Sequence, residues 1–451
     1  MTKKPFDISA LYIRTALVLL VLCVIAGLTS SLSYVTSLSI SSYFGLKSMR
    51  PLHVTFAILW IMIAAQGGIY KALECNYNFK SKLAHIQYGF WLLFILGVII
   101  SFALQSFGGR EYWEFTPAIS IFVLLASVLF AISIIKALRA IKQWPVYLWM
   151  WLTGALFFCF IFVESYLWLI PHFQTKPVTD LTLQWKANGS LVGAWNQLIY
   201  GLSFFIIETI TKNKTIATSK TAFFMYFLGL FNLMFNWGHH IYIAPINPSI
   251  RYISYAVSMT EWIVFIKILF DWKKELKKAR IPNQSIPNRL IRSADFWIFI
   301  NLLQALLMSI PAINRYTHGT HITVAHAMAS TIGINSLLLL AACVYFLQDS
   351  SRKSFKKHKK QRILLLLLNL SLIVFWLSLV FAGIKKAHWQ SQVSALSFHN
   401  LMSTLQPYFY VFVGSGVVLM TTIILFVISF FKQSTTTKHE ESCKVKPLNV
   451  N

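Results

Sequence analysis

Charged residues are scarce in this chain of 451 residues. Asp, Glu, Lys and Arg make up 12% of it, whereas hydrophobic residues make up 57%. A soluble globular domain is usually about one quarter charged. The acidic side chains are the rarest, with 14 Asp and Glu against 40 Lys and Arg, for a formal net charge of +26. This composition excludes an ordinary soluble domain and indicates an integral membrane protein.

Cysteine motifs are missing as well. The five cysteines are scattered, and none lies in a CxxC or CxxCH pattern. Two thiolates spaced for one metal, or a covalently attached c-type haem, would require such a pattern. The sequence therefore indicates neither kind of site, and Cys159 and Cys343 are most simply core residues. The other three cysteines are Cys23, Cys75 and Cys443.

The positive charge does not form an extended basic surface. It occurs in short clusters between apolar runs, which is the pattern that orients membrane helices rather than the pattern that binds nucleic acid. We therefore expect contact with membrane lipid and no nucleic-acid partner.

Apolar runs of about 20 residues predict roughly twelve membrane-spanning helices in an all-α, polytopic fold. One transmembrane domain would cover residues 1–432, and a polar, disordered cytoplasmic tail would cover residues 433–451. The predicted helices lie near 12–36, 52–74, 83–106, 116–138, 145–168, 188–210, 221–244, 250–271, 290–312, 320–348, 362–384 and 402–431.

Alternate loops carry the basic clusters, which sets the predicted orientation. Lysines also precede the first helix, so both termini should be cytoplasmic and the helix number even. The opposite loops carry only isolated charges. The clusters are Lys80 and Lys82; Lys136, Arg139 and Lys142; Lys212, Lys214 and Lys220; Lys273 to Arg280; Arg352 to Arg362; and Lys438, Lys444 and Lys446.

The tenth predicted helix carries side chains of ligand type. His326 and Met328 are two residues apart, so a helix directs them to nearly opposite faces. They are poorly placed to share one metal, but they can serve two haems on the two sides of the helix. The alternative is a core histidine beside a packing methionine.

Other polar residues are predicted at the same depth, near the non-cytoplasmic ends of their helices. Asn196, Gln197 and Tyr200 belong to the sixth helix and Glu261 to the eighth. Histidines gathered in one layer of a membrane protein favour a functional site over unrelated core positions. They are His53 in the second helix, His239 and His240 in the seventh, and His326 in the tenth.

His239 and His240 are adjacent and would lie about 100° apart on a regular helix. Binding one metal with both requires a local distortion, which Pro245 just beyond them permits. Two imidazoles with oxygen ligands suit iron, copper or zinc.

Several segments, in the correct order, resemble the catalytic subunit of the haem–copper oxidase superfamily, specifically its nitric oxide reductase branch. The resemblance covers most of the chain. The segments are RPLHVTFAILW around His53, FGGREYWEF at 107–115, NWGHHIYIAP around His240, SMTEWIVF around Glu261 and RYTHGTHITVAHAMA around His326.

The resemblance implies the subunit I arrangement of helices, two haem b groups and a non-haem metal, with iron favoured over copper. His53 would bind a low-spin haem, His326 a high-spin haem, and His239 with His240 the non-haem metal. Glu261 would support proton delivery, with Glu164 of the fifth helix as a weaker candidate. Glu111 and Tyr70 would contribute to a calcium site beside the haem propionates.

Two positions depart from the family pattern. The second low-spin haem ligand, a histidine in the family, is Met328 here, and a thioether can also bind haem iron. The sixth-helix histidine and glutamate of the reductases are replaced by Asn196 and Tyr200. Asn196 or Gln197 would supply an amide oxygen to the metal, and Tyr200 would donate a proton or a hydrogen bond.

The expected function is a nitric oxide reductase in a bacterial cytoplasmic (inner) membrane, acting in respiratory electron transport and denitrification. It would convert two NO, two electrons and two protons to nitrous oxide and water. A c-type cytochrome subunit or another external donor would supply the electrons. Two alternatives stay open: a terminal oxygen reductase that uses O2 and copper, and a non-catalytic haem electron-transfer or sensor subunit.

Overall fold

The computed structural model describes residues 7–36, 43–259, 270, 274, 285–347, 359–391 and 397–434. In these ranges the chain is a helical bundle. The long helices are α1 (Ile8–Leu32), α2 (Leu46–Tyr77), α3 (Leu83–Ala103), α4 (Ile121–Leu138), α5 (Val146–Glu164), α6 (Pro177–Thr211), α7 (Lys220–Phe235), α8 (248–259), α9 (Ile286–Ser309), α10 (His321–Leu347), α11 (Lys359–Ser391) and α12 (Phe398–Ser434).

Ten of these helices are long and apolar enough to cross a membrane, so the prediction of a polytopic all-α protein is confirmed. The other two predicted spans correspond to α7 and α8. The α-helical part of α7 has 16 residues. Only 250–259 and residue 270 of the predicted eighth span are described, so half of that span lies outside the described residues. The predicted tail also lies outside them, apart from the end of α12.

The connections on one side of the bundle are structured. A two-stranded antiparallel hairpin, β1 (Phe107–Arg110) and β2 (Trp113–Phe115), leads through a 3-10 turn at Pro117–Ser120 into α4. Short helices at Leu167–Leu169 and Pro171–Gln174 precede α6, and another at Pro311–Thr317 precedes α10. Because α2, α6 and α10 all begin on this side, and His53 and His326 lie in their first turns, we call it the histidine side.

Proline sets the start of two of these elements. Pro177 begins α6 and Pro311 begins the short helix before α10. Proline suits the first helical turn, where its missing N–H would have no intrahelical acceptor in any case. Thr320 then caps α10, because its side chain accepts a hydrogen bond from the Ile322 N–H at 3.2 Å. The polar segment before each helix is therefore held in place.

Two helices depart from regular α geometry. The seventh predicted span was expected to be one helix over 221–244, but α-helix ends at Phe235 and a 3-10 segment continues over Asn236–Ile241. This segment contains the histidine pair, so the distortion expected there is present. In α10, residues Ala329–Ser336 form a π-helix directly after Met328. Such π segments often occur at functional sites.

A buried hydrogen bond fixes α2 against α10. Trp60 Nε1 donates to Ser336 Oγ at 3.0 Å, and the Ser336 hydroxyl donates to the Thr331 carbonyl at 2.8 Å. Trp60 is fully buried. An indole N–H inside a bundle needs an acceptor, and Ser336 supplies it at the end of the π segment.

We expect Ser336→Ala to lower the thermal midpoint of the purified protein, because it leaves the buried Trp60 N–H without its acceptor. The cost should be about 1–3 kcal/mol. Ser403→Ala is the matched control, since the Ser403 hydroxyl is exposed and, among the described residues, bonds only to the His399 carbonyl of its own helix. Trp60→Phe combined with Ser336→Ala should recover most of the loss. Equal midpoints for the two serine variants would contradict this assignment.

Candidate functional site

The histidine pair lies in the 3-10 segment that follows α7. The ring centroids of His239 and His240 are 4.3 Å apart, with an angle of 38° between the planes. Asn314, from the short helix before α10, donates from Nδ2 to the His239 carbonyl at 3.2 Å. The two imidazoles are therefore adjacent, and their backbone is anchored to the element that leads into α10.

One face of α6 packs against this segment. A methyl group at Gly189 would lie 3.0 Å from His240 Cδ2, and one at Gly193 would lie 2.9 Å from the Cβ of Leu233 in α7. Asn196 follows Gly193 by three residues, and Tyr200 follows Asn196 by four, so all four positions share this face. The face that contacts His240 therefore also carries Asn196, about 10 Å further along the helix axis than Gly189, and Tyr200 one turn beyond it.

Asn196 is better placed than Gln197 for the predicted metal site. Its Oδ1 atom is buried and has no hydrogen-bond partner among the described residues, but the same holds for Gln197 Oε1, so the two amides differ only in the helix face that they occupy. Gln197 instead lies between α5 and α7, where methyl groups at Gly154 and Gly229 would be 3.1 Å from its Cβ and 2.9 Å from its Nε2. Of the two amides, Asn196 is the one on the α6 face that contacts His240.

His326 completes this group. It lies close enough to both His239 and His240 to interact with them electrostatically. Its Nδ1 atom is buried and finds no partner in the described part of the chain. Residues His321–Met328 are regular α-helix, so Met328 is directed to nearly the opposite face of α10. This is the arrangement that the two-residue spacing predicted.

His53 and Met328 lie at similar depth on α2 and α10. The Trp60–Ser336 hydrogen bond joins the two helices. His53 precedes Trp60 by seven residues, and Met328 precedes Ser336 by eight. Both helices begin on the histidine side, so both side chains lie about 10–12 Å from this bond, toward that side. His53 also shares the face of α2 that Trp60 presents to α10, since seven residues make almost two full turns.

The hairpin ties the start of α2 to the start of α6. Arg50 of α2 pairs with Glu114 at 2.7 Å, and Arg110 pairs with Asp180 of α6 at 2.6 Å. The Arg110 guanidinium also lies 4.8 Å from the centroid of the Trp168 ring. Burial raises the pKa of Glu114, although the neighbouring Arg50 opposes that shift. The GREYWEF segment of the hairpin thus holds the first turns of α2 and α6 together on the histidine side.

The predicted calcium pair is wrong. Glu111 is exposed in the hairpin on the histidine side. Tyr70 lies near the opposite end of α2, where its hydroxyl donates to Gln87 in the first turns of α3. From Gln87 to the end of α3 the helix rises about 24 Å before the hairpin begins. The two residues are therefore too far apart to hold one ion.

An ion pair that the sequence did not reveal lies beside the histidine pair. Lys186 of α6 contacts Glu164 at the end of α5, and its Nζ lies 5.8 Å from the centroid of the Trp237 ring in the 3-10 segment. Lys186 lies one turn before Gly189, the residue that contacts His240, so the Glu164–Lys186 ion pair is near the histidine pair. Because Glu164 and Lys186 are 22 residues apart in the chain, no local sequence pattern predicts their ion pair. Glu261, the other carboxylate of the prediction, lies outside the described residues.

The donor set fits a metal only if the amide is included. Within the described ranges, no three His, Cys, Asp or Glu side chains are grouped so as to hold a metal ion. His239 and His240 supply two adjacent nitrogens, and Asn196 carries a buried oxygen without a partner on the neighbouring face. His326 and Met328 lie on the two faces of α10, and His53 lies at a similar depth on α2; all three are side chains of the kinds that can bind haem iron.

Two known proteins resemble this chain over most of its length. At 21% identity, a nitric oxide reductase subunit of Stutzerimonas stutzeri aligns over 93% of this chain and 93% of its own length. A cytochrome c oxidase subunit 1 homolog of Agrobacterium tumefaciens (strain T37) is 20% identical over 82% of this chain and 73% of its own.

A cryo-EM structure of a heme-copper terminal oxidase dimer has the same fold, with a TM-score of 0.73 and 13% identity over 96% of this chain and 85% of that chain. The family model described as cytochrome c and quinol oxidase polypeptide I matches residues 7–429. The chain therefore belongs to this family, the subunit I proteins of the haem–copper oxidase superfamily.

Proposed function

We propose that this chain is the catalytic subunit of a membrane-bound nitric oxide reductase, which reduces NO to nitrous oxide. The observation that carries the proposal is the adjacent pair His239 and His240, packed against the α6 face that bears Asn196 and within electrostatic range of His326. The similarity to the Stutzerimonas stutzeri nitric oxide reductase protein over nearly the whole chain supports it.

Three sets of residues would hold the redox groups. His53 and Met328 would bind a low-spin haem b, and His326 would bind a high-spin haem b on the other face of α10. His239, His240 and Asn196 would hold the non-haem metal. When bound, these groups would supply the two electrons and the positive charge that the reduction of NO requires.

The side chains around the site would orient the reactants and control protons. Tyr200 lies one turn beyond Asn196 on the same face of α6, where its hydroxyl can donate a hydrogen bond to a substrate oxygen. Glu261 would support proton delivery to this region. Glu164 is less suited to that task, because its carboxylate is held in an ion pair with Lys186.

The oxygen ligand separates this proposal from an oxygen reductase with copper. The α6 face toward the histidine pair carries Gly189, Gly193, Asn196 and Tyr200, so this face supplies no third imidazole. An amide oxygen is a harder ligand than imidazole and suits iron better than copper(I). The similarity to a cytochrome c oxidase subunit 1 homolog keeps the oxygen reductase as the second candidate.

The orientation and the electron donor are part of the proposal. The basic loops would face the cytoplasm of a bacterium, both termini would lie there, and the histidine side would face outward. Because the chain has no CxxCH motif, electrons would come from a c-type cytochrome or another external donor that reaches this outer face.

Anaerobic NO consumption by the purified protein, with gas-chromatographic detection of nitrous oxide, tests the function. We expect nitrous oxide, together with more than two iron atoms per chain by elemental analysis. Copper with oxygen consumption would instead indicate the oxygen reductase. Two iron atoms and no turnover of NO or O2 by the fully haem-loaded protein would indicate a non-catalytic haem carrier and overturn the proposal.

Asn196→Ala should release the non-haem metal while both haems stay bound, because only the amide ligand is lost. We expect the affinity for the metal to fall by at least about 10- to 100-fold, which is the loss usual even for residues that only hydrogen-bond to a metal ligand. Gln197→Ala is the matched control, since this amide lies between α5 and α7. Metal analysis after dialysis against a chelator measures the effect. Equal retention in both variants would exclude Asn196 as a ligand.

Met328→His should lower the reduction potential of the low-spin haem, because His/Met ligation has a higher potential than bis-His ligation. Met328→Leu should leave this haem without its sixth ligand and convert it to a high-spin spectrum. Redox titration and near-infrared magnetic circular dichroism measure these changes. A bis-imidazole band in the wild-type protein would exclude Met328 as the ligand.

A further inference from the structure

The imidazole of His53 rests in a cradle formed by α1. His53 Nδ1 lies 2.9 Å from the Cys23 carbonyl oxygen. One turn further along α1, a methyl group at Gly27 would lie 2.6 Å from the same nitrogen and 2.7 Å from His53 Cε1. The ring can occupy this position only because residue 27 has no side chain.

The Cys23 thiol contributes a second contact. Its Sγ lies 3.6 Å from the His53 carbonyl oxygen, to which it can donate, and 3.5 Å from His53 Nδ1. Backbone and side chain of Cys23 therefore contact both the ring and the main chain of His53. Thiols are weak donors, so the bond from the ring to the carbonyl is the stronger of these interactions.

This geometry determines the tautomer of His53. A carbonyl oxygen can only accept a hydrogen bond, so the ring nitrogen that contacts it must carry the proton. In a neutral imidazole the proton on Nδ1 leaves Nε2 with a free lone pair. Nε2 is then the nitrogen able to bind a metal, and it lies on the edge of the ring away from the Cys23 carbonyl.

We infer that Cys23 and Gly27 are positioning residues for the low-spin haem: they hold His53 so that Nε2 faces away from α1 as the haem ligand. The inference rests on the proposed role of His53. It assigns to α1, which supplies no ligand of its own, the hydrogen bond to the ligand histidine that fixes the orientation of the ring and raises its basicity.

The geometry of α2 agrees with this role. His53 shares a face of its helix with Trp60, which is bonded to α10. Because α1 holds the His53 ring by its Nδ1 edge, Nε2 is free to face the space next to α10. This space lies at the depth of Met328.

Gly27→Ala tests the cradle, with Gly89→Ala as the matched control. Both are helical glycines, but apart from the adjacent residues and backbone of its own helix, no atom of the described chain lies within 4 Å of a methyl group at residue 89. We expect Gly27→Ala to lose or convert the low-spin haem signal in electron paramagnetic resonance and reduced optical spectra. Haem affinity at this site should fall by about 10- to 100-fold, while the high-spin haem is retained. Gly89→Ala should match the wild type.

Cys23→Ala separates the carbonyl from the thiol. It removes Sγ but keeps the backbone acceptor, so the low-spin haem should be retained. Loss of that haem in Cys23→Ala would overturn the assignment of the main-chain carbonyl as the principal contact.

A second measurement covers the case in which Gly27→Ala accumulates poorly. If the added methyl group acts through the His53 ring, Gly27→Ala placed in a His53→Ala background should cause no further loss. The coupling between the two sites is obtained from the thermal midpoints of four proteins, measured by fluorescence-detected size exclusion. They are the wild type, Gly27→Ala, His53→Ala and the double variant. Additive losses would overturn the inference.

The outcomes distinguish this inference from the proposed function. A wild-type low-spin haem that survives Gly27→Ala unchanged overturns the cradle and leaves the nitric oxide reductase proposal standing. A wild-type protein without any low-spin haem overturns both. Selective loss of the low-spin signal in Gly27→Ala, with Gly89→Ala unaffected, supports the positioning role.

Discussion

An imidazole ring fits between two closely packed membrane helices only where the facing helix has a small residue opposite it. This bundle meets that constraint by placing glycine opposite the ring. His53 packs on Gly27 of α1, and His240 packs on Gly189 of α6. Close approach of helix backbones at small residues is a common way to pack helices in lipid. Here it also creates room for side chains that can bind metals.

Ion pairs and hydrogen bonds between helices keep the histidines and the facing glycines at matching depths. The hairpin links α2 to α6 through two ion pairs, Arg50 with Glu114 and Arg110 with Asp180. Asn314 holds the backbone of the histidine pair, and the Trp60–Ser336 bond holds α2 against α10. None of these residues binds a haem or metal in the proposal. Their common effect is to fix the relative depth of the helices, on which a shared site depends.

Much of the fold was predictable from the sequence because lipid leaves few choices. Apolar runs of about 20 residues must be helices there, and ten of the predicted spans are present. The predicted ends were less accurate on the histidine side. Helix α6 begins at Pro177 rather than near 188, because its first turns are polar and are held by Arg110 and Lys186 contacts that hydropathy cannot detect. The calcium pair failed for a similar reason: a motif carries no information about depth in the bundle.

The sequence by itself determined that this is a polytopic membrane protein with histidines in one layer, and that His326 and Met328 point to opposite faces of one helix, because both conclusions follow from composition and helical period. Only the tertiary structure decided which amide of α6 shares a face with the histidine pair. It also decided that Glu164 is paired and that α1 holds His53. Those features are contacts between residues 22 or more positions apart along the chain, and such contacts are set by how helices pack, not by the pattern within any one of them.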